Sequence, residues 1–365
     1  MKKIVIVTFQ NAYNYGAILQ CYALQTILSK NKNNVEVLNY DNETISNVYK
    51  TFYKPKGSLK FLKYIKSFVT GLMYSKQTIP RNRKFRKFIK NNIFLTKKMN
   101  QKEILNLEFK KDTTLVVGSD QVWNTDITNG YDPIYMLDFG GNIKRVSYAA
   151  SIGKNLIDSK YENKIKKTLN KYFAISVREK TAKNELVKFL DKNIEVTLDP
   201  TLLIEKDEWE KNVPKKRKKY ENYIFVYMPN KECEKIAKHL QDKYNKKIVY
   251  IDKKNIFNKN SINISDADPF DFLSYIKHAD YVVTTSFHAT IFSIIFNKKI
   301  WIALPKTVGS RITDLLSELN ISNRCVTTYY EFKSKNPDEK IDYDEVNEIL
   351  KEKRKKSIDW LNKHI

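Results

Sequence analysis

The sequence predicts an α/β fold built as two doubly wound, Rossmann-like domains facing each other across a cleft. Three observations carry this. Short β-branched runs alternate with segments of helical length along almost the whole chain. The alternation breaks at the polar, lysine-dense stretch VPKKRKKYEN (213–222) and resumes beyond it. Finally, 365 residues with 42% hydrophobic and 13% aromatic side chains are enough to bury two cores. Strands are expected at 4–9, 35–38, 114–117, 145–149, 173–177 and 196–198, with helices at 17–29, 59–74, 81–91, 162–171 and 181–189. The second half repeats the theme with a strand at 223–228, a helix at 231–244, a strand at 247–251 and a helix at 269–277. Next come a strand at 281–285, an apolar helix and a strand at 300–304. A Pro- and Gly-marked loop then leads into a helix, and 343–365 forms a charged amphipathic helix with Val346, Ile349, Leu350, Ile358 and Leu361 on its buried side. The expected domains are 1–205, carrying a basic helical insertion at 54–98, and 206–342, followed by the C-terminal helix.

Composition bounds the rest. Cys21, Cys233 and Cys325 lie far apart in apolar or helical contexts, which is neither a metal pattern nor a disulfide framework, so a reducing cytoplasm is expected. The apolar run behind Lys2 and Lys3 spans only 4–9, so it reads as a first strand rather than a signal peptide. No stretch approaches the roughly 20 apolar residues that span a bilayer. The net charge is +25, and residues 54–98 hold eleven lysines and three arginines with no acid. Leu59, Phe61, Leu62, Ile65, Phe68, Val69, Leu72 and Met73 are interleaved, which fits a helix with an apolar stripe and a basic face. Such a face suits peripheral contact with anionic lipid at the inner side of the membrane. A lysine-rich bias of the whole chain would also place lysines there. No nucleic-acid recognition motif is present, and nucleic acid is not an expected partner.

Candidate site residues fall at the carboxyl ends of predicted strands, where open α/β sheets collect ligands. After the first strand, Asn14, Tyr15 and Gly16 open a helix. Glycine there allows backbone N–H groups to approach a ligand closely, and a helix start favours an anion. The glycines and lysine of a dinucleotide fingerprint or P-loop are missing. After the third strand, Ser119, Asp120 and Gln121 follow Gly118, and Asp120 could accept a proton from a sugar hydroxyl or cap its own turn. Ser151 and Gly153 end the next strand. Arg178 then stands where a guanidinium could grip a phosphate or carboxylate, or pair with Glu179. Asp199, Pro200 and Thr201 mark a hinge, where the proline suggests a structural role. In the second half, Thr284, Thr285 and Ser286 precede His288 in the first turn of a helix. An imidazole there could move a proton near neutral pH, or be a satisfied core histidine. Arg311 opens the helix after the next strand, with Lys306 in the loop before it.

Taken in order, NYGAILQCYALQ, VGSDQVWN, VSYAASIG, ISVREK, LDPTLL, TTSFHATIFSIIF and SRITDLL resemble the polysaccharide pyruvyl transferase family, from residue 8 to about 320. The resemblance implies a glycosyltransferase-B-like fold with 1–205 as the acceptor side and 206–342 as the donor side. It implies transfer of a pyruvyl group from phosphoenolpyruvate to a saccharide, often lipid-linked, giving a ketal without a metal or other cofactor. His288 would donate a proton or stabilise phosphate, Asp120 would serve the acceptor hydroxyl, and Arg178 with Arg311 would hold the donor anions. One departure stands out: many members carry arginine two residues before the histidine, where this chain has Ser286. Glycosyl transfer from a nucleotide sugar therefore stays open as an alternative on the same fold, as does a basic membrane- or nucleic-acid-binding module without catalysis.

Overall fold

The structure, a computed structural model, describes residues 2–52, 60–214, 220–252, 254–257, 260–305 and 310–365. The chain divides into two compact units. The first comprises residues 1–48, 89–204 and 344–365 and holds a six-stranded sheet in the order β2-β1-β3-β4-β5-β6. Its strands are β1 (Lys3–Val7), β2 (Asn34–Val37), β3 (Thr113–Val117), β4 (Lys144–Ala150), β5 (Ala174–Val177) and β6 (Ile194–Val196). The second comprises residues 49–88 and 205–343, with a sheet in the order β12-β11-β10-β7-β8-β9. Here the strands are β7 (Tyr223–Tyr227), β8 (Lys247–Ile251), β9 (Ser261–Asn263), β10 (Tyr281–Thr284), β11 (Lys299–Ala303) and β12 (Cys325–Val326). Among the described residues every strand pairing in both sheets is parallel.

The composition of the strands accounts for this topology. TTLVV in β3, YIFVY in β7 and YVVT in β10 are buried at every position, as strands covered by helices on both faces must be. Each buried Val, Ile or Leu contributes about 1.5–3 kcal/mol relative to exposure, so continuous apolar runs select a central parallel sheet. Strand order reverses at β1/β3 in the first sheet and at β7/β10 in the second. At such switch points the two neighbouring loops leave the sheet in opposite directions, opening a crevice at the carboxyl ends.

Three features depart from the sequence expectation. The helices expected at 59–74 and 81–91 form one helix, Lys60–Asn92, with Pro80 inside it, and most of it belongs to the second unit rather than to the first domain. The reason is its inner face: Phe88 packs edge-on to Phe270 at 4.8 Å, and Lys84 pairs with Asp266 at 2.6 Å. Conversely, residues 344–365 of the helix Tyr343–His364 group with the first unit, where Arg354 donates to the Leu202 carbonyl at 2.9 Å. Ser357 accepts the Leu198 N–H at 3.1 Å. The edge strands β9 and β12 were not anticipated, because two or three residues carry no readable period.

Candidate functional site

In the first unit, the carboxyl ends of β3, β4 and β5 are laced together beyond the strands. The Asp120 carbonyl accepts the Ser151 N–H at 3.0 Å, and the Ala150 carbonyl accepts the Arg178 N–H at 3.1 Å. These bonds hold Asp120, Ser151 and Arg178 side by side. Gly118 makes the arrangement possible. Its φ is +117°, and a Cβ there would lie 2.1 Å from the Tyr148 carbonyl oxygen. Asp120 itself has φ +77°, a left-handed conformation that an Asp tolerates better than most side chains. Gly118→Ala is therefore expected to cost about 1–3 kcal/mol in backbone strain and about as much again in overpacking. A lower urea midpoint at unchanged slope would register it, and a wild-type midpoint would refute it.

Arg178 lies at the centre of a buried charge network. Its Nη1 donates to Asp199 Oδ2 at 2.9 Å, while Asp120 lies 3.7 Å and Glu179 3.8 Å from other guanidinium nitrogens. Burial alone would lower the Arg178 pKa, but the Asp199, Asp120 and Glu179 carboxylates outweigh it and hold the pKa above its ordinary value. Asp199 caps a short helix, accepting both the N–H and the hydroxyl of Thr201, and it also lies 3.1 Å from Ser119 Oγ. Glu179 accepts from Ser151 Oγ at 2.7 Å and from the Ile152 N–H at 3.2 Å. Of the three carboxylates, Asp120 is the most accessible, with 12% of its side chain exposed against 0% for Asp199 and 2% for Glu179.

The switch point itself is polar. Thr8, just beyond β1, donates to the Ser119 carbonyl at 3.0 Å and accepts from Gln20 Nε2 at 2.8 Å. Nearby, Gln10 and Asn11 both donate to the Tyr40 carbonyl, and Tyr40 Oη and Asn42 Nδ2 both donate to Asp132 Oδ2. Burial raises the pKa of Asp132, and these hydrogen bonds only partly offset it. Asn14 caps the helix Tyr15–Ser29 by accepting the Ala17 N–H, while Tyr15 and Gly16 are buried in that helix's first turn. Gln121 accepts from Asn124 Nδ2 through its side-chain oxygen.

In the second unit, the switch point between β7 and β10 carries the histidine. Thr284 donates to the Tyr227 carbonyl and Thr285 to the Met228 carbonyl, both at 2.6 Å. Ser286 is the N-cap of the helix Phe287–Ile295, accepting from the Ala289 N–H. The three hydroxyls ahead of His288 thus fix the strand-to-helix turn, and His288 occupies the second position of the helix, 7% exposed. Its ring meets Phe287 edge-on at 5.3 Å, and the Arg311 guanidinium sits 5.6 Å from the centre of the same Phe287 ring. Arg311 is likewise the second residue of its helix, Ser310–Glu318, just after β11. A cation and an imidazole at two helix N-termini, joined by one aromatic ring, make a setting that favours an anion.

Within the first unit, then, Ser119, Asp120, Ser151 and Arg178 come together, and within the second His288 and Arg311 meet at Phe287. Lys306 lies outside the described residues. Nothing in the sequence marks Asp132, Tyr40 and Asn42 as a cluster, because an Asp before a proline looks like an ordinary turn and its partners are some 90 residues away. Glu179, expected as an ion-pair partner of Arg178, lies closer to Ser151, whose hydroxyl donates to it at 2.7 Å. Among the described residues no His, Cys, Asp and Glu cluster could hold a metal ion.

Two parallel sheets, each with polar residues at its switch point, define the glycosyltransferase-B class of two-domain α/β proteins. Solved structures of that fold are similar over nearly the whole chain. The UDP-GlcNAc 2-epimerase of Methanocaldococcus jannaschii, in complex with UDP-GlcNAc and UDP, is 13% identical with a TM-score of 0.50, covering 97% of this chain and 94% of its own. A putative UDP-N-acetylglucosamine 2-epimerase from Listeria monocytogenes is 12% identical with a TM-score of 0.50, covering 98% and 91%. At such identities the likeness extends to fold alone. A search of curated proteins finds no match. The family model for polysaccharide pyruvyl transferase matches residues 14–301, most of the chain, and the protein belongs to that family.

Proposed function

We propose that the protein transfers a pyruvyl group from phosphoenolpyruvate to a lipid-linked saccharide, closing it into a ketal during surface-polysaccharide assembly. Family membership makes it a pyruvyl transferase, and the observation that carries the donor assignment is the shared contact of His288 and Arg311 with Phe287 at two helix starts. Phosphoenolpyruvate brings a phosphate and a carboxylate, both of which suit that setting. We read Arg178, which pairs with Asp199 and lies 3.7 Å from Asp120, as the residue that positions Asp120, and we assign the donor anions to Arg311 and His288 at the two helix starts.

The chemistry follows from the donor. Protonation of the methylene carbon leaves a cation at C2, which a sugar hydroxyl attacks as it gives up its proton. Cleavage of the C2–O bond then releases phosphate, and a second hydroxyl attacks C2 and loses its proton, closing the ketal. One proton is thus taken up at carbon and two are released from oxygen, one of which leaves with phosphate. In this reading His288 delivers the first proton or steadies the departing phosphate, and Asp120, the most accessible carboxylate of its network, receives the hydroxyl proton. No metal or other cofactor takes part in this scheme. The acid-free segment 54–98 is the side that meets an anionic membrane, placing the protein at its cytoplasmic face.

A second reading, glycosyl transfer from a nucleotide sugar, is favoured by Ser286 at the position where many members of the resembling family carry arginine. Thermal unfolding separates the two. Phosphoenolpyruvate at 100 times its dissociation constant should stabilise the protein by about 2.7 kcal/mol, whereas UDP-GlcNAc should not. Stabilisation by the nucleotide sugar alone would reverse the assignment.

A further inference from the structure

The helix Lys60–Asn92 has two very different faces. Its inner face is fixed to the second unit. Thr78 Oγ1 meets Thr51 Oγ1 at 3.0 Å, Asn82 donates to the Tyr49 carbonyl at 2.8 Å, and Phe85 is fully buried. At Gly71 a Cβ would come within 2.5 Å of the Thr51 carbonyl oxygen, so the helix runs against its support with no room for a side chain. The opposite face is therefore left outward by the packing itself. Over its first part that face is apolar: Phe68, Val69, Leu72, Met73 and Ile79 are all exposed, Leu72 at 55% and Met73 at 65%. The half-exposed ring of Phe52, which lies over Gly71 on the supported side, leans on Phe68 at 5.8 Å at the margin of this face. Over the second part the same face turns basic, with Lys76, Arg83, Arg86, Lys87 and Lys90 exposed, and the helix contains no Asp or Glu.

We infer that this outward face is a membrane anchor, in which the 68–73 stripe enters the boundary between headgroups and acyl chains of an anionic bilayer while the cations of 76–90 lie on its headgroups. The inference deepens the membrane part of the proposed function and is independent of the reaction. Large apolar side chains held outward on a docked helix, continuous with an acid-free cationic row, are what an interfacial helix presents. Charge complementarity favours a lipid surface over a second copy of this chain, whose equivalent face carries the same charge sign. No helix among the described residues is long and apolar enough to cross a membrane, so attachment through this face is peripheral.

The test uses bare vesicles with neither donor nor acceptor, so its failure leaves pyruvyl transfer untouched. The full-length protein is sedimented with phosphatidylcholine vesicles with or without phosphatidylglycerol. Binding is expected only with the anionic lipid. Leu72→Ser with Met73→Ser should weaken it at least tenfold with circular dichroism unchanged, and Arg83→Gln, Lys87→Gln and Lys90→Gln should each weaken it about fivefold. Should the serine variant not fold, Leu72→Trp supplies a second readout: extra fluorescence quenched by lipids brominated on their acyl chains. Vesicle binding unaffected by both variant sets overturns the inference. So does indole fluorescence of the Leu72→Trp variant that brominated lipid leaves unquenched, or a wild-type dimer in sedimentation that the serine variant renders monomeric.

Discussion

His288→Ala is expected to lower pyruvyl transfer by about 10²–10⁴-fold, the usual contribution of a positioned acid or base. The measurement is phosphate release from phosphoenolpyruvate in the presence of a saccharide acceptor, at saturating donor. The residue sits in the first turn of the helix Phe287–Ile295, so its loss leaves the Ser286 cap and the Thr284 and Thr285 anchors intact, and unfolding midpoints should change little. His288→Gln divides the two roles open to the imidazole. An amide can donate a hydrogen bond to departing phosphate but cannot deliver a proton at neutral pH. Partial rescue by glutamine assigns phosphate stabilisation, and none assigns proton delivery. Near-full turnover of the alanine variant would remove His288 from the mechanism.

Arg178→Met is expected to be the most damaging single change to the fold, costing about 3–5 kcal/mol, because it removes the guanidinium that faces the buried Asp199 and Glu179 carboxylates. The sign of its pH dependence follows from the same picture. Burial of the Asp199 carboxyl without Arg178 beside it favours its neutral form, so the folded state of the variant loses stability as pH rises above the ordinary carboxylate range. The deficit against wild type should therefore be smallest below about pH 4 and grow toward neutrality. Combining the change with Asp199→Asn should restore part of the loss, with a coupling of about 0.5–3 kcal/mol. Urea denaturation across pH checks both points, and a flat, additive response would mean that the network is not electrostatically coupled.

The sheets were legible in the sequence because parallel strands are continuous apolar runs. The expected strands at 4–9, 114–117, 145–149 and 223–228 differ from the observed ones by at most two residues at either end. The helix Lys231–Tyr244, with Asn230 as its cap, and strand β8 match in full. Edges were not legible, since β12 has two residues and β9 three. Nor was the assignment of the basic helix to the second unit, because amphipathicity reveals that a helix has a buried face without naming the surface it packs against. The same limit applies to the candidate site. Spacing after a strand pointed to Asp120, Arg178 and His288, but the Asp199 carboxylate beside Arg178 depends on a contact 21 residues away, and the Asp132 cluster on contacts about 90 residues away. Side-chain type reveals what a residue can do. Which charges are already matched is a property of the assembled loops.

The interleaving of the two units has a consequence for how the protein is made. Residues 344–365 belong to the first unit, where Trp360 lies 6.1 Å from the Tyr148 ring and Lys2 donates to the Ile365 carbonyl at 2.7 Å. The strands of that unit are all synthesised by residue 196, yet its last helix emerges only after the whole second unit has been translated. Until then the first unit lacks the helix that brings Trp360 to Tyr148 and Ser357 to the Leu198 N–H. The last contacts of the first unit are therefore expected to form only after the second unit has been translated.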